Sequence, residues 1–418
     1  MDMAETRIYL DFNATAPLRE AARRAVISAL DLANPSSVHA EGRAARQVVE
    51  NARREVAALV NGQPSHVVFT SGATEAASML LTPDWTMGRA PLKFSHLYVS
   101  AADHPCILSG GRFEQKMTKI AVQPNGKMDI DALKNALAAH DASEGLPLVA
   151  TYVANNETGV IQPIEEIAAV ARQAGGTTVF DAVQAAGRIP LDISAGSADF
   201  FIISSHKIGG PKGVGAVIGA SDLMMPRALI KGGGQEKGHR AGTEDVAAIA
   251  GFGAAAREAT TAMNDMHQVH EKRTRIEAAI RSLVPDAMIY GEQSPRLPNT
   301  VFFSLPGIKA ETVQIAFDLA GIALSAGSAC SSGKVGPSHV LQAMGYGGEG
   351  GALRVSIGPQ TTDDEIEAFA AALAKIATRR KSAIAPLEEE GTGCLGKNGV
   401  NDTYFATGWM NSARALTR

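Results

Sequence analysis

Cysteine is scarce in this chain, with Cys106, Cys330 and Cys394 the three among 418 residues. So few thiols, so far apart, exclude a disulfide framework and a C-x-x-C metal site. A reducing, cytoplasmic setting is the expectation, in which each thiol is judged by its neighbours. Long apolar runs are also missing. None approaches the ~20 residues needed to cross a bilayer, so no membrane role is expected. The opening MDMAETRIYL carries two acids and no apolar stretch, which argues against a secretory signal. Strong basic charge is absent too: the formal net charge is -4, which indicates no polyanion-binding surface and no nucleic-acid partner. No internal repeat is visible.

What is present suits a globular enzyme. Hydrophobic residues make up 45% and charged residues 20%, enough to bury a sizeable core. Several short apolar, often β-branched runs each give way to small or polar residues, as in VVFTSGATEAA (67–77), VATYVANNETG (149–159), TVFDAVQAAG (178–187) and FFIISSHKIGG (200–210). Helix-period segments such as Ile164–Gln173 and Asp129–Ala139 lie between them. This alternation predicts an α/β fold around a mainly parallel sheet, with the polar strand ends converging on one crevice. From about Ala254 to Leu283 the pattern predicts one long amphipathic helix linking a large domain to a small one. The small domain would hold a strand at 300–305, a helix from Glu311 and a final helix after Thr362, whose hydroxyl precedes three acids. The last thirty or so residues lose periodicity and read as a loosely held tail.

Candidate chemistry sits at the strand ends. Lys207 follows Ser204-Ser205-His206 after an apolar run and precedes a Gly-rich stretch. It fits either a solvated loop lysine or a Schiff-base amine beside a phosphate cradle. Thr70-Ser71-Gly72-Ala73-Thr74-Glu75 makes a strand-to-helix turn, which is either an ordinary cap or an anion site. Asp181 closes its run as a helix cap or as a partner for a pyridinium nitrogen. His104 is a loop histidine or a flat ring able to stack on a planar cofactor and move protons. Cys330 lies in SAGSACSSG (325–333), where small residues argue against the usual burial of a cysteine and for an accessible thiol. Cys106 sits among Pro105, Ile107 and Leu108 and reads as structural; Cys394 carries no role.

The order TSGATE, DHP, NNETG, DAVQ, SSHKIGGPKG, GGGQEKGHRAGTE, LPNT and SAGSACSSG resembles the class V aminotransferase-fold cysteine desulfurases of the NifS/IscS type, from about Ile8 to Ala374. The resemblance implies a fold-type I, pyridoxal 5'-phosphate-dependent homodimer. It implies a mainly parallel seven-stranded sheet between helices in a large domain (15–260). A smaller α+β domain (1–14 and 261–385) would carry the thiol loop, followed by an irregular tail (386–418). By motif, Lys207 holds the cofactor through an imine, Asp181 faces the pyridine nitrogen, Gln184 the ring oxygen, and His104 the ring face. Ala73, Thr74, Ser204 and His206 bind the phosphate, and Thr243 reaches the phosphate of the partner subunit. Asn156 lies near the substrate and ring, and Arg354 clamps the substrate carboxylate, which suits a planar guanidinium. Cys330 would take sulfur from L-cysteine as a persulfide, release L-alanine, and pass the sulfur to an iron-sulfur scaffold or other acceptor protein. His104 would shuttle a proton at the sulfur. Cys330 is also a candidate transient iron-sulfur ligand beside that scaffold, with no resident metal implied. The nearest alternative is a selenocysteine lyase or another class V enzyme. Departures from the family pattern are Ala76-Ala77-Ser78-Met79 after the TSGATE turn, the unusual stretch Leu80–Leu97, Tyr152, Gln235 and the tail after about 386.

Overall fold

The computed structural model describes residues 7–327, 338–347 and 350–384. Cys330, Cys394 and the tail after 386 lie outside the described residues. The expected β–α alternation is present. Apolar runs form the strands Val67–Thr70, Leu146–Tyr152, Thr177–Asp181 and Phe200–Ser204. The helix Ile130–Ala138 starts where the Asp129 side chain accepts from the Ala132 N–H, and Ile164–Gln173 is helical throughout.

The large sheet is wider than expected, with nine strands instead of seven. Its central part is parallel from Met117–Ile120 through Ala90–Ser100, Leu146–Tyr152 and Thr177–Asp181 to Phe200–Ser204. Gly215–Gly219 and Val67–Thr70 then close one edge antiparallel. One of the two additional strands comes from the unusual stretch after Leu80, and the other from residues 224–226. Asp84–Met87 pairs with the first part of Ala90–Ser100, and Met224–Pro226 pairs with Asp84–Met87. Trp85 is the anchor. It is buried edge-on against Phe94 and Phe200, and its indole N–H donates to the Thr82 carbonyl. Apolar clusters cover both faces of this sheet, so its central strands are buried throughout.

The predicted long helix is two. Val246–Ala262 and Met266–Leu283 are separated by a 3-10 turn at Met263–Asp265. A separate core gathers Phe303, Phe317, Phe369 and their neighbours around an antiparallel sheet ordered Met288–Ile289, Thr300–Ser304, Leu353–Ser356, Ser325–Ala326. The final helix, Asp363–Ile384, begins with the capping box its sequence announced: the Thr362 N–H donates to Glu365 and the Glu365 N–H to Thr362 Oγ1. Near the N-terminus, Ile8–Tyr9 pairs parallel with Ile322–Ala323, and the chain then runs directly to Asn13, Ala14 and Thr15 beside the large sheet.

One loop is held tightly. Glu236 and Lys237 adopt φ of 47° and 56°, a left-handed conformation that costs non-glycine residues energy. The buried Glu236 carboxylate accepts from both terminal nitrogens of Arg53, each at 2.7 Å, and from the Phe69 N–H at 2.8 Å. Further along the same loop, Arg240 pairs with Glu75 at 3.0 Å.

Candidate active site

Beyond the carboxyl ends of the parallel strands lies a cleft of ≈ 470 Å³. At one end, the strand Val67–Thr70 turns into the helix Ala73–Leu80 through Gly72, whose φ of 154° is rarely open to other residues. A Cβ on Gly72 would meet nothing within 4 Å, so the space before the helix N-terminus is open. Gly215, on the neighbouring strand, has no such room: its Cβ would come within 2.8 Å of Gly72 Cα. The Ser71 N–H is taken by Glu75, and Arg240 balances the charge of that carboxylate. The amides of Ala73 and Thr74 therefore face the cleft at the positive end of a helix, a setting for an anion.

Ser204, His206 and Lys207 come from the end of Phe200–Ser204 and the 3-10 turn after it. Lys207 Nζ donates to the carbonyls of Asn13 and Ala14 at 2.7 and 2.9 Å. His206 Nδ1 lies 2.7 Å from Thr15 Oγ1. Burial, with Lys207 and Lys212 nearby, holds the His206 imidazole down at about 4. Asp181 ends its strand on the cleft floor. Its carboxylate accepts the Val183 N–H at 2.9 Å, and burial pushes its pKa up to about 6 against the pull of that bond and of Lys207. A buried acid so poised gains from a cationic partner placed in the cleft. Gln184 is fixed in orientation: its side-chain oxygen accepts from buried Arg188, and its Nε2 donates to the Asn13 carbonyl at 3.0 Å.

His104 lines the wall, and burial, then Lys207 and His339, lower its pKa to about 4. Asp103 behind it is fully buried and its carboxyl is raised well above the usual range, chiefly by burial, while it accepts from the Ser100 and Tyr152 N–H groups. Asn156 also lines the cleft, and its carbonyl accepts from Arg354 at 3.0 Å.

Of the predicted residues, Lys207, Asp181, Gln184, His104, Asn156, Ala73, Thr74, Ser204 and His206 share this one cleft. Arg354 does not line it. It sits one layer behind Asn156, pairs with Asp11 at 2.7 Å and donates to Ser325, and its buried Nε has no partner among the described residues. Thr243 is exposed and does not line the cleft of its own chain. Sequence reasoning missed Asn13, Thr15 and Arg188. Asn13 is a buried hub: its carbonyl takes Lys207 and Gln184, and its side chain meets Thr300, Asn299 and the Asn156 carbonyl. The one available signal was a polar run, DFNAT, straight after an apolar strand. It also placed Cys106 as structural, whereas its half-buried thiol lies on the cleft wall.

The aminotransferase class-V family model matches residues 8–369 of this chain. The chain belongs to the class-V aminotransferase family. Its similarity to the cysteine desulfurases of that family is extensive. It is 39% identical over 407 residues to a cysteine desulfurase of Frankia sp., covering 92% of this chain and 94% of the relative. It is 34% identical to the cysteine desulfurase IscS of Dictyoglomus turgidum, covering 92% and 97%. Among solved structures, a NifS-like protein of Rickettsia africae superposes with a TM-score of 0.80 at 33% identity, covering 89% of this chain and 99% of that one. The resemblance carried by the eight motifs therefore holds. Among the described residues, no helix is long and apolar enough to cross a membrane.

The donor set fits pyridoxal phosphate. A helix N-terminus beside an open glycine suits the phosphate, and a lysine amine and a buried carboxylate line the same cleft.

Proposed function

We propose that this protein is a cysteine desulfurase that converts L-cysteine to L-alanine and places the sulfur on Cys330 as a persulfide. The observation that carries the reading is the convergence of Lys207, Asp181 and His104 on one cleft that ends at a helix N-terminus. Lys207 would hold pyridoxal 5'-phosphate. The amides of Ala73 and Thr74, with Ser204 and His206, would bind its phosphate, Asp181 would face the ring nitrogen, and Gln184 would offer Nε2–H to the ring oxygen. When bound, this group draws electrons from the Cα of the amino acid, which labilises the α-proton. Once the substrate amine has replaced it on the cofactor, Lys207 Nζ would take that proton, and the two carbonyls that hold the free amine would keep it at that end of the cleft. Arg354 would hold the substrate carboxylate, with Asn156 beside it; Arg354 Nε is a donor ready for a new acceptor. Cys330 thiolate then attacks the substrate sulfur. A sulfur–sulfur bond forms, the Cβ–S bond breaks, and its electron pair stays on the three-carbon fragment, which takes up one proton at Cβ, regains one at Cα from Lys207 and leaves as L-alanine.

The same reading makes the protein a cytoplasmic homodimer in which exposed Thr243 serves the cleft of the partner. It divides the chain into a large domain at 15–260 and a small one built from 1–14 and 261–385. Two separate apolar cores and the pairing of Ile8–Tyr9 with Ile322–Ala323 support that division. The sulfur goes to an acceptor protein for iron-sulfur or other thio-cofactor assembly. The decisive experiment compares Cys330→Ala with wild type in the presence of cysteine and a thiol reductant. The variant is expected to retain the cofactor's visible absorbance and release no sulfide. Full sulfide release by the variant would refute the persulfide route.

A further inference from the structure

His104 and Cys106 form a unit on the cleft wall. His104 is the N-cap of the short helix Pro105–Leu108, and its ring turns back on the chain. The Cys106 backbone N–H donates to His104 Nδ1 at 3.2 Å, and Cys106 Sγ lies 3.1 Å from the same nitrogen. A backbone N–H can only donate, so Nδ1 must present its lone pair. The sulfur then contributes its S–H to that lone pair. A neutral imidazole that accepts at Nδ1 carries its proton on Nε2.

We propose that Cys106 is a positioning residue that fixes His104 as the neutral Nε2–H tautomer, so that the ring turns an N–H, not a lone pair, toward the cleft. The purpose of that donor, a hydrogen bond at the reacting substrate, rests on the functional reading above; the tautomer does not. The charged surroundings favour the same state. Lys207 on the strand-end turn and His339 at the start of the helix His339–Ala343 face His104, and both oppose a second proton on the ring. Burial above all, then Asp181 and Asp103, raise the Cys106 thiol so that it keeps its hydrogen. A thiol that keeps its hydrogen stays a donor to the Nδ1 lone pair.

The test uses full-length protein labelled with 15N-histidine, with and without pyridoxal phosphate, and assigns the ring signals by their loss in His104→Gln. Wild type is expected to show an unprotonated Nδ1 and a protonated Nε2 at pH 6 to 8. Cys106→Ser keeps a side-chain donor and is expected to keep that pattern. Cys106→Ala loses one donor to the neutral ring, so the protonation midpoint should rise by roughly half to one pH unit. The acid limb of kcat should move with it. An Nδ1–H signal in wild type, or a Cys106→Ala midpoint equal to that of wild type, overturns the proposal. The spectra need no turnover: the expected tautomer in a protein that releases no sulfide would sink the desulfurase reading and leave this one standing.

Discussion

Replacing Glu236 by glutamine probes how the glycine-rich loop is held against the sheet edge. The Glu236 carboxylate takes two 2.7 Å bonds from Arg53 and a 2.8 Å bond from the Phe69 N–H, and Arg53 in turn donates to the Val67 carbonyl and lies 4.8 Å from the centroid of the Phe69 ring. Glutamine has nearly the same shape but only one acceptor oxygen, and its NH2 faces a donor whichever way it turns. Arg53 retains Glu50 at 3.2 Å, but the Glu50 side chain is 45% exposed, so water screens that pair. Breaking a buried pair by removing one partner costs about 3–5 kcal/mol, and the remaining oxygen and Glu50 bring the expected loss to about 3 kcal/mol. The left-handed residues Glu236 and Lys237 depend on this anchor, so the loss should appear locally. Urea unfolding would give the global cost, and native-state hydrogen exchange at the Phe69 amide the local one, with an expected acceleration of about a hundredfold. The double variant Arg53→Met/Glu236→Leu should lose much less than the sum of its single replacements, because it leaves no charge buried. A single-variant cost under about 1 kcal/mol, with Phe69 protection unchanged, would refute the reasoning.

Two further outcomes follow from the site. Asp181 has a carboxyl pKa of about 6 in the fold against 3.8 ordinarily, so the folded chain keeps a proton that the unfolded chain has released between about pH 4 and 6. Stability from this group therefore falls as pH rises through that window. Cofactor-free Asp181→Asn should be more stable than wild type at pH 7.5 by about 2–3 kcal/mol, and the difference should vanish near pH 3.5 in urea titrations at both pH values. Gly215→Ala places a methyl within 2.8 Å of Gly72 Cα and of the Ile203 carbonyl. It should cost about 1–3 kcal/mol and weaken pyridoxal phosphate binding, measured by visible absorbance, because the backbone that must shift forms the anion turn.

The sequence alone was enough for the elements whose causes are local. Thr362 and Glu365 announced a capping box, and the small and polar residues after each apolar run marked the strand ends that meet at the cleft. Lys207, Asp181 and His104 were legible because each stands next to such a boundary. The break at Met263–Asp265 was not legible, since helical periodicity continues across it and no proline or glycine marks it. Nor was the width of the sheet: the strand Asp84–Met87 depends on Trp85 finding Phe94 and Phe200, and Phe200 is remote in sequence. Tertiary structure alone decided the contacts of Asn13, Arg188 and Glu236, because their partners are brought from elsewhere by the fold. Hydrophobic period and turn chemistry are written in neighbouring residues, whereas a hydrogen bond between residues 13 and 207 exists only after the chain between them has folded.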